Sequence, residues 1–512
     1  MTSDRPTNLA DLVRRTATAT PDKIALLYRE QRLAWGALDT AVDRAAGGLL
    51  ALGLDRGDRV AMLMGNIPEL VVAYFGALRA GLVAVPINTG YTVEELRHLL
   101  ADSGARAIVC GRGLAETAAA AAAAVPGVER VVVADVAEAQ AGASTFDELL
   151  AAGADQPVAA TGGGEDLAVL MYTSGTSGRP RGAMLSHRAL LANLEQCARI
   201  EPPIAGPDDI VLIVLPLFHI YGLNTALGTI AWHGATGVLV ERFDPADALA
   251  DVRRHHVTNI IGAPPMFIAW SLLPDLAESF DSVRLAVSGA APLPTDVFAR
   301  ILDVTGRPVF EGYGLTETAP VLTTALMSEI AKPGSVGRAV PGVELRLVDE
   351  DGGPTVEGDP GEIAVRGANL FSGYWPDGSG GADADGWFAT GDVAYADPDG
   401  DLFLVDRRKE LILVSGFNVY PREVEDALTA HPDIREAAVL AIPHPYTGES
   451  VKAMIVLRSG ARLSAEDVIG HAATRLARFK CPTAVQFVDA LPHSVTGKVA
   501  KGRLREAARG AR

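Results

Sequence analysis

The sequence predicts an α/β protein: a large N-terminal domain of layered α/β subdomains, a small β-rich subdomain, and a small α+β C-terminal domain. Four features carry that expectation. Between residues 22 and 107, short aliphatic runs (KIALLY, RVAMLM, LVAVPI, ARAIVC) alternate with amphipathic stretches at 38–52 and 68–80, the order produced when helices cover a largely parallel sheet. The same alternation resumes in IVLIVLPL, GATGVLV, NIIGAPP and RLAVSG. Around 341–365 the texture changes to short alternating strands between Gly and Pro turns (VELRLVDEDGGPTVEGDPGEIAVRG), which reads as β-rich. Mixed α/β texture returns after DRRKELILVSG.

The alanine-rich run 118–124 reads as a surface helix ahead of the strand VVVADV, because alanine is the best helix former. A chain of 512 residues exceeds what one core organises, so about two to four domains or subdomains are expected. The net charge of -18 opposes non-specific binding to nucleic acid or an anionic membrane. An anionic ligand must therefore be held by local cations and backbone amides. No segment reaches the ~18 consecutive apolar residues of a membrane span, so no integral membrane segment is expected. Cys110, Cys197 and Cys481, odd in number and far apart, suggest neither a disulfide framework nor a metal cluster, and a cytoplasmic location follows as the expectation.

The chemistry-bearing segments begin at residues 172–182, YTSGTSGRPRG, directly after the strand-like LAVLM. Glycines admit positive φ and let consecutive N–H groups face one ligand, while Thr and Ser hydroxyls add donors and the arginines add charge. Such a loop is suited to a polyphosphate, although it is not the GxxxxGK[ST] P-loop.

This string strongly resembles the phosphate-gripping signature of the adenylate-forming (ANL) superfamily, which includes acyl-CoA synthetases, firefly luciferase and peptide-synthetase adenylation domains. Further signatures follow in order to the C-terminus, so the resemblance covers essentially the whole chain. It implies ATP/AMP contacts from Thr173, Ser174, Gly175, Thr176, Ser177 and Gly178, with Arg181 standing where the family usually has Lys. GYGLTET (312–318) resembles the segment that supplies Tyr313 to stack on adenine, Gly314 beside it, Thr316 to the α-phosphate and Glu317 to Mg²⁺, with Thr173 a second metal contact. A carboxylate suits Mg²⁺, which prefers hard oxygen ligands. Gly289, Ala290 and Ala291 are expected at the nucleotide, and Asp392 and Arg407 at the ribose. The resemblance makes Lys409 a hinge, which sets the domains at 1–408 (ATP and acyl sites) and 409–512 (mobile).

PHSVTGK (492–498) matches the loop carrying the family's catalytic lysine, here Lys498, whose ammonium would offset charge as the acid's carboxylate meets the α-phosphate. Thr316 and Arg181 would assist. His219, in LPLFHIYG, is expected either to orient the carboxylate or thiol or to be structural. Acyl-pocket positions are His219, Tyr221, Gly262, Met266, Gly289 and Gly314, and Ser415, Gly416 and Phe417 are expected at the coenzyme A thiol path. The stretch 452–512 holds twelve Lys or Arg against four Asp or Glu, a basic face that is either simply solvated or used for CoA phosphates.

Together these imply an ATP- and Mg²⁺-dependent acyl-CoA synthetase acting on an apolar monocarboxylic acid, with a medium- or long-chain fatty acid favoured. The alternatives are an aryl- or cinnamoyl-CoA ligase, since the strings also look close to coumarate-CoA ligases, a fatty acyl-AMP ligase loading a carrier protein, and a non-catalytic nucleotide sensor. The partners are then small molecules: the acid, ATP and CoA. A homodimer is a further expectation. PHSVTGK also resembles the acetylation motif of bacterial acyl-CoA synthetases, implying an acetyltransferase and deacetylase acting on Lys498, unless the motif serves catalysis alone.

Overall fold

The computed structural model describes the chain except residues 1–4, 140–141, 155–157, 175–179, 350, 357, 408–411, 415–416, 445–447, 477, 494–498, 502–503 and 505–512. It divides by packing into two compact units. The first comprises Met1–Pro333, Gly337–Glu344 and Arg366–Phe388, and the second Gly334–Val336, Leu345–Val365 and Ala389–Arg512. In this division the β-rich stretch groups with the C-terminal residues, where antiparallel strands adjacent in sequence pair in space: Phe388–Ala396 with Leu402–Arg407. The expected hinge Lys409 lies outside the described residues.

In the first unit, one sheet runs Ser144–Thr145, Arg130–Ala134, Ala105–Gly111, Arg59–Leu63, Val83–Pro86, Leu167–Ser174, Pro180–Ser186. All neighbours are parallel except the last pair, an antiparallel hairpin. A second sheet contains the parallel series Ile24–Tyr28, Thr236–Leu239, Ile210–Ile213, Asn259–Gly262, Leu285–Ser288 and Val309–Gly314. These are the aliphatic runs of the sequence. Val83–Pro86, Thr236–Leu239, Asn259–Gly262 and Leu285–Ser288 are buried at every position, as strands covered on both faces must be.

The helix expected at 38–52 runs Trp35–Ala51, extended backwards by the buried Trp35. Its neighbour begins at Pro68, where a missing N–H costs nothing, and runs to Arg79. The alanine run forms Ala115–Ala123 and buries Ala118, Ala121 and Ala122 against the first sheet's core, so one face is more than surface.

The second unit ends in a sheet ordered Phe417–Val419, Ile412–Val414, Gly448–Leu457, Ile434–His444, with Ala484–Phe487 parallel to Gly448–Leu457. Helices Pro421–Thr429 and Ala465–Ala473 close its core through Val424, Leu428, Val468 and Ala472. That is the α+β arrangement the sequence predicted. Among the described residues, no helix is long and apolar enough to cross a membrane.

Candidate active site

The parallel strands of the second sheet end together: Gly262 lies opposite Ser288, and Ser288 opposite Glu311. Ligands of open α/β sheets sit beyond such carboxyl ends. The Gly289 N–H donates to the Gly262 carbonyl at 3.1 Å. A Cβ on Gly289 would stand 2.8 Å from Tyr221 Cζ, and one on Gly262 would stand 3.0 Å from Phe267 and 3.1 Å from Met266. Four expected acyl residues, Tyr221, Gly262, Met266 and Gly289, therefore converge, because two missing side chains make room for the two large ones.

Tyr221 opens the π-helical segment Tyr221–Gly228. Its phenol oxygen is buried and has no hydrogen-bond partner among the described residues, as is true of the Ser288 hydroxyl. Burial raises the phenol's pKa, so it stays a neutral donor. Two residues earlier, His219 Nδ1 accepts from the Tyr221 N–H at 3.3 Å. In the neutral ring that assigns the proton to Nε2.

At the expected nucleotide site, Tyr313 is largely buried on the strand Val309–Gly314. A Cβ on Gly314 would fall 1.8 Å from the Pro320 carbonyl, which accepts from the Leu315 N–H at 3.1 Å and the Thr318 hydroxyl at 2.6 Å. That close approach shapes the turn Thr316–Thr318 and holds Thr316 and Glu317 in place. The Glu317 carbonyl accepts from the Phe371 N–H at 2.9 Å, and its Oε1 accepts from the Tyr374 hydroxyl at 2.6 Å. Ala290 adopts φ 71°, a left-handed backbone rare for a residue with a Cβ.

In the hairpin Leu167–Ser174/Pro180–Ser186, Thr173 lies opposite Arg181. The Arg181 guanidinium sits 3.6 Å from the centroid of the Tyr374 ring. The chain around Tyr374 is pinned to the same hairpin: Met184 N–H donates to Gly373 O at 3.0 Å, Ser372 N–H to Met184 O at 2.9 Å, and Trp375 N–H to Gly182 O at 2.8 Å. Sequence reasoning missed Tyr374. The signal was the aromatic pair in Ser372-Gly-Tyr-Trp375, but no local pattern says which distant residues such a pair meets. Gly175, Thr176, Ser177 and Gly178, and the side chain of Ser174, lie outside the described residues. Glu317 and Thr173 offer hard oxygens of the kind that Mg²⁺ takes.

In the second unit, Asp392 pairs directly across from Arg407. Asp392 is nearly buried, and its N–H donates to Thr390 Oγ1 at 3.2 Å. Lys409, Ser415, Gly416 and Lys498, with the side chains of Arg407 and Phe417, lie outside the described residues. On either side of 494–498, His493 and Val499 form a bridge. His493 Nε2 lies 3.2 Å from Glu436, and Lys501 Nζ 2.8 Å from Glu425.

Parallel-strand ends, a hairpin that sets Thr173 opposite a ring-stacked Arg181, and an acidic turn define a nucleotide-binding α/β enzyme. Residues 13–375 match the family described as AMP-binding enzyme, and 423–498 match the AMP-binding enzyme C-terminal domain. The chain is 33% identical to a long-chain-fatty-acid–CoA ligase of Bacillus subtilis (strain 168), over 97% of this chain and 94% of that protein. It is 37% identical to a feruloyl-CoA synthase of Amycolatopsis sp, over 96% and 97%. ATP-bound MatB from Rhodopseudomonas palustris superposes with a TM-score of 0.90 at 34% identity, over 98% of this chain and 99% of that one. The chain therefore belongs to the AMP-binding enzyme family of the adenylate-forming superfamily, and it is an AMP-forming acid–thiol ligase.

Proposed function

We propose that the protein is an ATP-dependent CoA ligase whose preferred acid is aromatic and carries a polar ring substituent. The observation that carries the choice of acid is the buried phenol of Tyr221 against Gly289, which has no hydrogen-bond partner among the described residues. A buried hydroxyl left unpaired costs about 1–3 kcal/mol. A ring hydroxyl or methoxy group would pair with it, whereas a methylene chain would leave it unpaired. The 37% identity to a feruloyl-CoA synthase supports this reading. A fatty acid is the second reading, supported by the apolar Met266 and Phe267 at Gly262 and by the relatives named for long-chain fatty acids.

Attack of a carboxylate on the ATP α-phosphate joins two anions, so catalysis rests on positioning and charge neutralisation. Tyr313 would stack on adenine, Asp392 and Arg407 would hold the ribose, and residues 173–178 with Arg181 the phosphates. Glu317 and Thr173 would hold Mg²⁺, which supplies charge neutralisation when bound. Lys498 would bridge carboxylate and α-phosphate. After pyrophosphate leaves, a turn about Lys409 would bring Ser415, Gly416 and Phe417 to the thiol path, where His219 orients the thiol.

The test is pyrophosphate release over a panel of hydroxylated and methoxylated aromatic acids and straight-chain fatty acids, with and without CoA. Aromatic acids should give the higher kcat/KM in a CoA-dependent turnover, and Tyr221→Phe should cut it about tenfold for them while sparing fatty acids. A preference for fatty acids that Tyr221→Phe leaves intact overturns the aromatic assignment. Acyl-AMP that accumulates equally with and without CoA overturns the CoA assignment.

A further inference from the structure

We propose that Tyr374 is a positioning residue that ties the phosphate-loop cation to the magnesium carboxylate, holding Arg181 with its ring face and Glu317 with its hydroxyl. The proposal rests on the reading above, in which Arg181 grips the triphosphate and Glu317 binds Mg²⁺.

The ring has little freedom. Phe371 packs edge-on against it at 5.0 Å between centroids. A Cβ on Gly380 would stand 3.1 Å from its Cδ2. Its own N–H donates to the Ser379 carbonyl at 2.9 Å, and its carbonyl accepts from the Gly378 N–H at 2.8 Å. Against this fixed ring the Arg181 guanidinium lies at 3.6 Å, well inside the ~6 Å range of a cation–π contact. A planar guanidinium can stack on an aromatic face while its N–H edge stays available to phosphate oxygens. A lysine ammonium cannot divide the two tasks in that way. The stack therefore gives a structural account of Arg rather than Lys at position 181.

At the other end of the ring, the hydroxyl donates to Glu317 Oε1 at 2.6 Å. This bond fixes the carboxylate's rotation and leaves Oε2 for a hard cation. A hydroxyl donor orients the carboxylate without cancelling the charge a metal needs. A lysine or arginine in its place would cancel it. One side chain thus sets the spacing between the cation that meets the phosphates and the anion that meets their metal, although the two come from segments far apart in the chain.

The test is calorimetric binding of ATP alone and of ATP with Mg²⁺, with no acid substrate present so that nothing turns over. Tyr374→Phe keeps the ring and should bind ATP alone as the wild type does, while the affinity gained on adding Mg²⁺ falls about tenfold, the size of one hydrogen bond to a charged group. Tyr374→Leu should also weaken binding of ATP alone, by about two- to fivefold, as expected for loss of a cation–π contact. Thermal melts of both variants establish that they are folded. If Tyr374→Phe keeps the wild-type gain while Glu317→Gln loses it, Tyr374 plays no positioning role and the proposal falls alone. If Glu317→Gln keeps the gain, the magnesium assignment fails and takes the proposal with it. Equal losses with and without Mg²⁺ in Tyr374→Phe would also overturn it, because they would mark a general loosening of the site.

Discussion

His187, 1% exposed, shows how far burial moves a single group. Its Nδ1 accepts the Leu9 N–H at 3.1 Å, and burial pushes its pKa down to about 4, against a weaker opposing pull from Asp166. The folded form therefore resists protonation more than the unfolded form. The contribution of the neutral ring is complete above the ordinary value of 6.5 and is lost as pH falls towards 4, where the unfolded chain has already bound its proton. The loss amounts to roughly 3 kcal/mol. Urea midpoints measured from neutral pH down to about 4.5 should fall steeply in the wild type and much less in His187→Gln, which keeps an acceptor for Leu9. Identical pH slopes would exclude His187 as the source. At this scale the sequence supplied expectations only where a family signature names the residue, as at Tyr313, Thr316 and Glu317. It was silent on His187 and Tyr374, whose roles come from what surrounds them.

Among elements, the strand-to-turn passage at Gly314 is tightly constrained. The Pro320 carbonyl occupies the space a Cβ would need, and the same carbonyl anchors Leu315 and Thr318. Gly314→Ala should destabilise the fold by about 3 kcal/mol, since backbone rather than a flexible side chain must move. The substitution should also displace Thr316 and Glu317 and weaken ATP binding. A melt and a binding isotherm within error of the wild type would refute this. The strands were legible because parallel strands buried on both faces read as unbroken aliphatic runs. Helix ends were less so: Trp35–Ala51 starts after Ala34, which makes no side-chain cap, and nothing local announced that Trp35 would be the first buried turn.

For the molecule as a whole, the two half-reactions make separable demands. If Lys498 acts only while acid and ATP combine, Lys498→Ala should abolish acyl-AMP formation, a loss of about 3–4 kcal/mol or more in transition-state stabilisation. It should leave transfer from supplied acyl-AMP to CoA largely intact. Single-turnover assays of each half-reaction decide it, and equal damage to both would remove Lys498 from its assigned place.

The sequence alone determined the α/β layering, because period and turn residues are local properties written along the chain, and the kind of chemistry was implied by the resemblance of its ordered signatures to the adenylate-forming superfamily. Only tertiary structure decided which residues meet. Tyr374 reaches Glu317 across 57 positions, Arg181 stacks on a ring far along the chain, and Tyr221 fills the space that Gly289 leaves. Such meetings depend on strand register and on how loops close, and neither leaves a periodic trace in the residues that come together.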